Sequence, residues 1–385
     1  MSDRYQICVR CIMDTSDPEI DFDAEGVCSH CRRFEEVGRP VLERVGTPEG
    51  KRSLADLVER MKERGQGRDY DCVIGVSGGV DSTYVAYAVK TRGLRPLAVH
   101  CDTGWNSELA VKNIENIVTR LDIDLRTFVV DWEEMRDLQL AFFKASLANC
   151  DIPQDHAFLA ALYRTAASER IPFIVTGSNL ATESILPRAW GYNAGDLRHL
   201  RAVHRRFGTV PLRRYPTLGF VRRYFYYPVM RGMRTIPILD YLPYKKSEAK
   251  RIIREELGWR DYGGKHYESI FTRFFQAYYL PRKFGFDKRR AHLSSLVMSG
   301  ELTRDEALRE MGTPPHPQKE LLEDKEYVAK KLGISVGEFE RLLALPTRTY
   351  RDFPSSVALF GLKDRAVAWY RRRSRLRESG PARAG

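Results

Sequence analysis

Residues 72–90 constrain this chain more than any other stretch. The apolar run Cys72 to Val76 ends in Ser77-Gly78-Gly79, and Val80-Asp81-Ser82 then opens a helical stretch reaching Lys90. A strand, a glycine turn and a helix N-terminus in that order hold phosphate oxygens on backbone N–H groups. The Gly-Lys-Ser/Thr ending of the Walker loop is missing, so this is a different phosphate loop. A glycine-rich turn with no ligand is the bland alternative. Six suitable residues between a strand and a helix weigh against it.

The same alternation continues downstream. Strand Pro96–Cys101 leads to helix Ser107–Arg120, strand Leu125–Val130 to helix Trp132–Ala148, and helix His156–Glu169 to strand Pro172–Thr176. Apolar strands rich in Val, Ile and Phe, separated by helices, predict an α/β fold with a parallel sheet covered on both faces. Ligands of such sheets sit beyond the carboxyl ends of the strands. Polar and small residues collect at each of those ends: Ser77–Ser82, His100–Ser107, Asp131-Trp132 and Thr176-Gly177-Ser178-Asn179. A nucleotide crevice requires such ends.

Cysteine usage singles out the N-terminus. Cys8-Val-Arg-Cys11 and Cys28-Ser-His-Cys31 are two CxxC pairs spaced for a four-thiolate zinc site. The surrounding residues are too few and too acidic (Asp14, Asp17, Glu19, Asp21, Asp23, Glu25) to bury a core unaided, so metal binding is expected to supply folding free energy. Four sulfurs leave no open position for water, so the expected role is structural. His30 is expected beside the site rather than in it. Cys72 and Cys150 read as buried thiols.

The net charge of +12 on 385 residues is unevenly placed. Between Arg188 and Arg234 stand eleven arginines, no lysine and one acid, Asp196; this segment contributes +10. The tail from Lys363 contributes +6, and the rest of the chain is net −4. A basic tail is commonly a solvated end. Arginine alone suits forked contact with phosphate or carboxylate, so an anionic substrate, RNA or an acidic partner would each explain the segment. No apolar run approaches the ~18–20 residues of a membrane span. The start of the chain lacks an apolar export core, and a cytoplasmic location is expected.

Before the alternation come a Pro/Gly-containing link, Gly38 to Gly50, and a helix over Leu54–Arg64. After it, Leu186 to Leu242 shows weak periodicity. Helices are then expected over Glu248–Leu257 (started at Ser247, stopped by Gly258), Tyr267–Leu280, Ala291–Ser299, Arg304–Met311, Lys319–Lys331 and Val336–Leu345. Thr303 to Glu306 reads as a capping box.

Taken together, these motifs resemble the PP-loop N-acetyl sugar amidotransferases of bacterial surface-polysaccharide and nonulosonic-acid pathways. The resemblance rests on the two cysteine pairs, Ser-Gly-Gly-Val-Asp-Ser at 77–82, Asp-Thr-Gly-Trp-Asn-Ser at 102–107 and Thr-Gly-Ser-Asn at 176–179. Tyr262-Gly-Gly-Lys-His-Tyr-Glu-Ser269, leading into Phe271-Thr-Arg273-Phe274-Phe275, completes it. It spans about residues 5 to 355. It implies a PP-loop (adenine nucleotide alpha hydrolase-like) domain at 51–260 with an Arg-rich insertion at 188–234. A zinc module and linker at 1–50 would precede it, and a helical region with a basic tail at 261–385 would follow.

The implied activity is ATP-dependent conversion of a sugar acetamido group to an acetamidino group, with AMP and pyrophosphate released. The resemblance places Ser77, Gly78, Gly79 and Ser82 on the β,γ-phosphates. Asp81 would contact magnesium, or would simply complement the helix dipole. Asp102 and Thr103 would lie near the adenosine or the metal, and Gly177 and Ser178 near the nucleotide, Gly177 by allowing close approach. Lys245 or Lys265 would neutralise the α-phosphate, and His266, Glu268 and Arg273 would meet sugar or ammonia. His266 reads equally as a helix cap. The arginine segment would suit a nucleotide diphosphate or sugar carboxylate.

No cysteine stands in a nucleophile-elbow context and residue 2 is serine, so ammonia is expected from a separate glutaminase. The implied partners are similar to the glutaminase and cyclase subunits of imidazole glycerol phosphate synthase. Nucleic acid is not an expected partner. The competing reading is a PP-loop tRNA-modifying enzyme of thiolase or lysidine-synthetase type; a thiolase would need Cys101 as its persulfide carrier. A zinc-ribbon scaffold with a vestigial nucleotide fold is the non-enzymatic alternative.

Overall fold

The computed structural model describes residues 5–263 and 267–378, with side chains of the last helix described to Val367 and at Trp369. Five parallel strands make one sheet: β1 (Cys72–Gly75), β2 (Pro96–Asp102), β3 (Leu125–Val129), β4 (Phe173–Thr176) and β5 (Arg234–Pro237). Their order is β3-β2-β1-β4-β5. The chain winds outward from β1 to β3, returns beside β1 with β4, and winds the other way to β5. The reversal between β1 and β4 opens a crevice at their carboxyl ends, where open α/β sheets bind ligands.

Side chains of β1, β2 and β4 alternate between two cores. Val73, Leu97, Val99 and Cys101 join one apolar cluster with α4 (Trp132–Ala145) and α5 (Ile152–Ser168). Cys72, Ile74 and Ala98 join the other with α1 (Pro48–Gly65), α2 (Val80–Lys90), α3 (Glu108–Leu121) and α7 (Lys246–Leu257). Helices thus lie on both faces of the central strands. Edge strand β3 departs from that expectation, leaving Leu125 and Val129 exposed on its faces.

The arginine-rich stretch holds more regular structure than its weak periodicity suggests. It contains α6 (Leu197–Phe207), capped by Asp196 accepting from Arg198 and His199 N–H. A nine-residue π-helical segment, Arg222–Met230, and β5 follow. Strand β5 is four residues ending in Pro237, which an edge strand tolerates. Helix α5 begins at Ile152, four residues before the expected start, with Pro153 in its first turn. Helix α7 stops at Gly258 as expected (φ +61°), but its first residue is Lys246 and its N-cap is Lys245, with no capping bond from Ser247.

Beyond the sheet the chain is helical. Turns Ile270–Phe274, Phe275–Tyr279 and Leu280–Phe284 run on from one another, the middle one π-helical. Then come α8 (Arg289–Ser299), α9 (Arg304–Met311), α10 (Gln318–Leu332), α11 (Val336–Ala344) and α12 (Val357–Glu378). Thr303 and Glu306 form the expected capping box of α9, and Ser335 and Glu338 make a second on α11.

The cysteine module docks on this region. Arg304 reaches from α9 to the carbonyl oxygens of Cys8 and Cys11 (3.0 Å to each), and Arg290 donates to the Ile12 carbonyl (2.6 Å) while pairing with Asp14. Ile12 is buried against Leu293, Leu296 and Ala307. The core the module cannot build from its own residues comes from α8 and α9.

Candidate active site

The loop after β1 is held by its own short side chains. The hydroxyls of Ser77 and Ser82 lie 3.2 Å apart, Ser77 N–H reaches Ser82 Oγ, and Thr83 Oγ1 donates to the Gly79 carbonyl at 2.6 Å. Gly78 has φ +79°, and a Cβ there would stand 2.6 Å from the Ala110 carbonyl oxygen of α3. Only glycine fits that turn. The Gly78 carbonyl accepts from Trp259 Nε1 at 2.8 Å, which ties the turn to the end of α7.

Three side chains from distant sequence border the loop. Tyr244 donates to Asp81 Oδ1. A Cβ on Gly79 would lie 3.0 Å from Glu268 Oε1 and 3.3 Å from the Tyr262 hydroxyl. Glu268 arrives there because its segment pairs with the end of β2's loop: Ser107 N–H donates to the Glu268 carbonyl and Ile270 N–H to that of Trp105. Burial raises the pKa of Tyr244 and Tyr262 well above that of a free phenol. The Asp81 carboxylate pushes Tyr244 in the same direction, and Glu268 followed by Asp81 does so for Tyr262. Both phenols remain hydrogen-bond donors at any physiological pH. Beside them burial lifts Glu301 above the usual carboxylate range, although it accepts from Lys246 N–H at 2.9 Å.

Ser77, Gly78, Gly79, Asp81, Ser82 and Glu268 therefore meet at one place. Asp102, at the end of β2, accepts from Gly104 N–H (2.8 Å) and from the Asn106 side chain, while buried Thr103 donates to Gln154. Gly177 fits closely against α2: a Cβ would meet Asp81 backbone and Cβ atoms at 3.2 Å, so its bare α-carbon is used by the protein itself. Ser178 is exposed on the loop after β4, and Lys245 is exposed at the start of α7. Lys265 and His266 lie outside the described residues. Arg273 makes a forked pair with Asp324 of α10 (2.6 and 2.8 Å).

Sequence reading missed His100. Its Nδ1–H donates to the Val76 carbonyl (3.1 Å) and its Nε2 accepts from Asn106, so one neutral tautomer joins the ends of β1 and β2. Its place at a strand's carboxyl end was the available signal. Tyr244 and Trp259 carried no local signal at all, and Tyr262 only its place at the head of the 262–269 motif.

The second candidate site is the cysteine module. The sulfurs of Cys8, Cys11, Cys28 and Cys31 all lie within 4.8 Å of one another and are fully buried. Backbone N–H groups of Arg10, Cys11 and Cys28 point at Cys8 Sγ, and that of Met13 at Cys11 Sγ. Such donors stabilise thiolate, and four converging thiolates fit a tetrahedral metal or an iron–sulfur cluster. Hydrogen bonds from Cys11 and Cys31 favour the thiolate form of Cys28. His30 points away from the sulfurs to Asp17 (2.8 Å), as a neighbour does. Burial raises Cys72, Cys101 and Cys150, Cys101 to about 12.

Residues 268–365 match the family described as LPS biosynthesis protein WbpG-like, C-terminal domain. The match begins at Glu268, the residue that reaches the loop. A tRNA(Ile)-lysidine synthase of Chlamydia pneumoniae is 29% identical over 136 residues, 35% of this chain and 40% of that protein. The chain thus spans about two fifths of the length of that relative. Among solved structures, the NH3-dependent NAD synthetase of Campylobacter jejuni covers 70% of this chain and 98% of its own (16% identity, TM-score 0.32). The U34-tRNA thiolase NcsA of Methanococcus maripaludis covers 77% and 82% (16% identity, TM-score 0.34). Among the described residues, no helix is long and apolar enough to cross a membrane.

Proposed function

From a PP-loop chain that carries the WbpG-like C-terminal domain, we propose an ATP-dependent amidotransferase that turns a sugar acetamido group into an acetamidino group. The acetamido oxygen attacks the α-phosphorus of ATP and pyrophosphate departs. Ammonia then adds at the activated carbon, and AMP leaves with the former carbonyl oxygen. An amide carbonyl is a poor electrophile and oxide cannot leave, so activation at oxygen is the step that needs ATP. The enzyme's task is alignment and charge neutralisation.

The observation that carries this reading is the meeting of the 77–82 loop with Glu268, which joins an ATP-activating turn to the domain matched in LPS biosynthesis proteins. In this proposal Ser77, Gly78, Gly79 and Ser82 hold the β,γ-phosphates. Asp81 and Glu268 are two carboxylates beside a turn suited to polyphosphate, a combination of like charges that a divalent cation resolves. Magnesium, bound by one or two carboxylates plus phosphate, fits those donors and would supply that neutralisation. Asp102, Thr103, Gly177 and Ser178 line the nucleotide side, and Lys245 and Lys265 are candidates for the α-phosphate. His266 and Arg273 are assigned toward the sugar side. Zinc in the four-cysteine site would serve structure, within a division into 1–50, 51–260 and 261–385.

Ammonia is assigned to a separate glutaminase with a cyclase-like companion. The high pKa and burial of Cys101 speak against a persulfide carrier. The test is pyrophosphate release from ATP with N-acetylated nucleotide sugars and ammonium. AMP and pyrophosphate should appear in equal amounts, and glutamine alone should not replace ammonium. Turnover that dies in Cys101→Ala and needs tRNA would install the thiolase reading instead.

A further inference from the structure

The arginine-rich segment and the C-terminal helix, far apart in sequence, form one surface. Phe360 of α12 packs on Phe220 (5.3 Å between ring centroids) and Tyr224 (5.9 Å), and Lys363 Nζ lies 4.7 Å from the Tyr224 ring. The start of α12 is tied down where Ser356 N–H donates to Asp196, the cap of α6 (2.6 Å). Two regions that concentrate positive charge on a chain otherwise net negative thus adjoin.

One end of this surface lies well away from the crevice. Segment Arg222–Met230 runs along α5, with Tyr227 against Tyr163, and ends where Arg231 donates to the Ala167 carbonyl. Arg234 N–H then meets the Pro172 carbonyl beside the first residues of β4. These are the amino ends of the strands, opposite the 77–82 loop. The expectation that the arginine segment binds the substrate's diphosphate or carboxylate is therefore corrected for Arg231 and Arg234.

The surface is also apolar. Val221, Phe225, Val229, Met230 and Leu362 are each more than half exposed (57–67%). Among the described residues, Arg214 alone of the eleven arginines in 188–234 has an ion pair, to Asp131. We propose that this face docks on an anionic phospholipid bilayer, peripherally. The cations complement lipid phosphate, and the apolar side chains between them reach the acyl boundary.

Interleaving selects this occupant. In Val221-Arg222-Arg223-Tyr224-Phe225 and Val229-Met230-Arg231, cations and apolar groups alternate along the chain. A protein partner would favour an apolar centre depleted of charge with a polar rim. RNA would leave the aliphatic side chains nothing to pair with, since it is read by stacking and hydrogen bonds.

The full chain should sediment with vesicles of phosphatidylcholine plus phosphatidylglycerol, not with phosphatidylcholine alone, and salt should weaken binding. Arg231→Glu with Arg365→Glu should weaken it about tenfold or more. Val229→Ser with Met230→Ser should weaken it severalfold without a change in charge. Circular dichroism and pyrophosphate release should match the parent in both. Equal sedimentation with both vesicle types, no sedimentation with either, or unchanged binding by the charge variant overturns the proposal. So does binding of tRNA by a chain that ignores the vesicles.

Discussion

The 77–82 loop and the cysteine module are both small polar structures, but they are held in opposite ways. The loop is set by its neighbours in sequence: a strand before it, a helix after it, and serines that bond across the turn. The module's short spacings supply its four sulfurs, yet its backbone is fixed from nearly three hundred residues away by Arg290 and Arg304. The loop's own bonds set its turn, with Trp259 and Tyr244 bracing it from outside. A site clamped remotely makes the ends of the chain one cooperative unit.

Breaking the module should have the largest effect. Cys11→Ser should lose the metal and more than about 5 kcal/mol of stability, because structural four-ligand sites contribute ~10 kcal/mol or more. Metal analysis and chemical unfolding would read it, and α8 and α9 should lose protection from hydrogen exchange along with the module. If those helices keep their protection, the clamp does not couple the two ends.

Acid separates both regions from a third, the seam between α5 and the arginine-rich segment. His156 donates from Nδ1 to the Ala194 carbonyl (2.7 Å) and accepts at Nε2 from Leu218 N–H (3.1 Å), and burial lowers it to about 4. The unfolded chain takes up this proton below about 6.5, whereas the folded chain refuses it until about 4. Stability is therefore complete above 6.5 and falls as pH drops toward 4, by roughly 3 kcal/mol in all. His156→Gln should flatten that part of the stability profile; an unchanged profile would contradict the assignment.

In the loop, Asp81→Asn should cost turnover rather than stability. About a hundredfold loss of pyrophosphate release, ~2.7 kcal/mol of barrier, is expected with the thermal midpoint within a degree or two. Equal losses of both would mean that Asp81 serves the fold through Tyr244. The smallest change tests the clamp alone: Arg304→Met should cost about 2 kcal/mol through two unpaired carbonyls while leaving metal content intact.

The same contrast decides what could be read from residues alone. The 77–82 turn, the cysteine spacings, the capping box at Thr303 and most helices of the sheet region are local patterns, and they stand where the spacing put them. Strand β5 hid because four residues among arginines carry only Thr235-Ile236 as a β signal. Arg304 and Arg290 looked like surface cations of a helix. Tyr244 is an ordinary aromatic until the fold carries it to Asp81. Nothing local marks Arg273 as the partner of Asp324. Contacts across more than a hundred residues leave no periodicity behind.

The pairing of residues 268–270 with 105–107 also bears on how the protein is born. A ribosome adds about 5–20 residues per second, so the stretch from Ser107 to Ile270 takes roughly 10–30 s to emerge. Through that interval the nascent sheet has its phosphate turn but not the strand-like segment bearing Glu268. A partly translated chain cannot bring Glu268 to the rim of that turn, so this corner of the molecule is completed only late in synthesis.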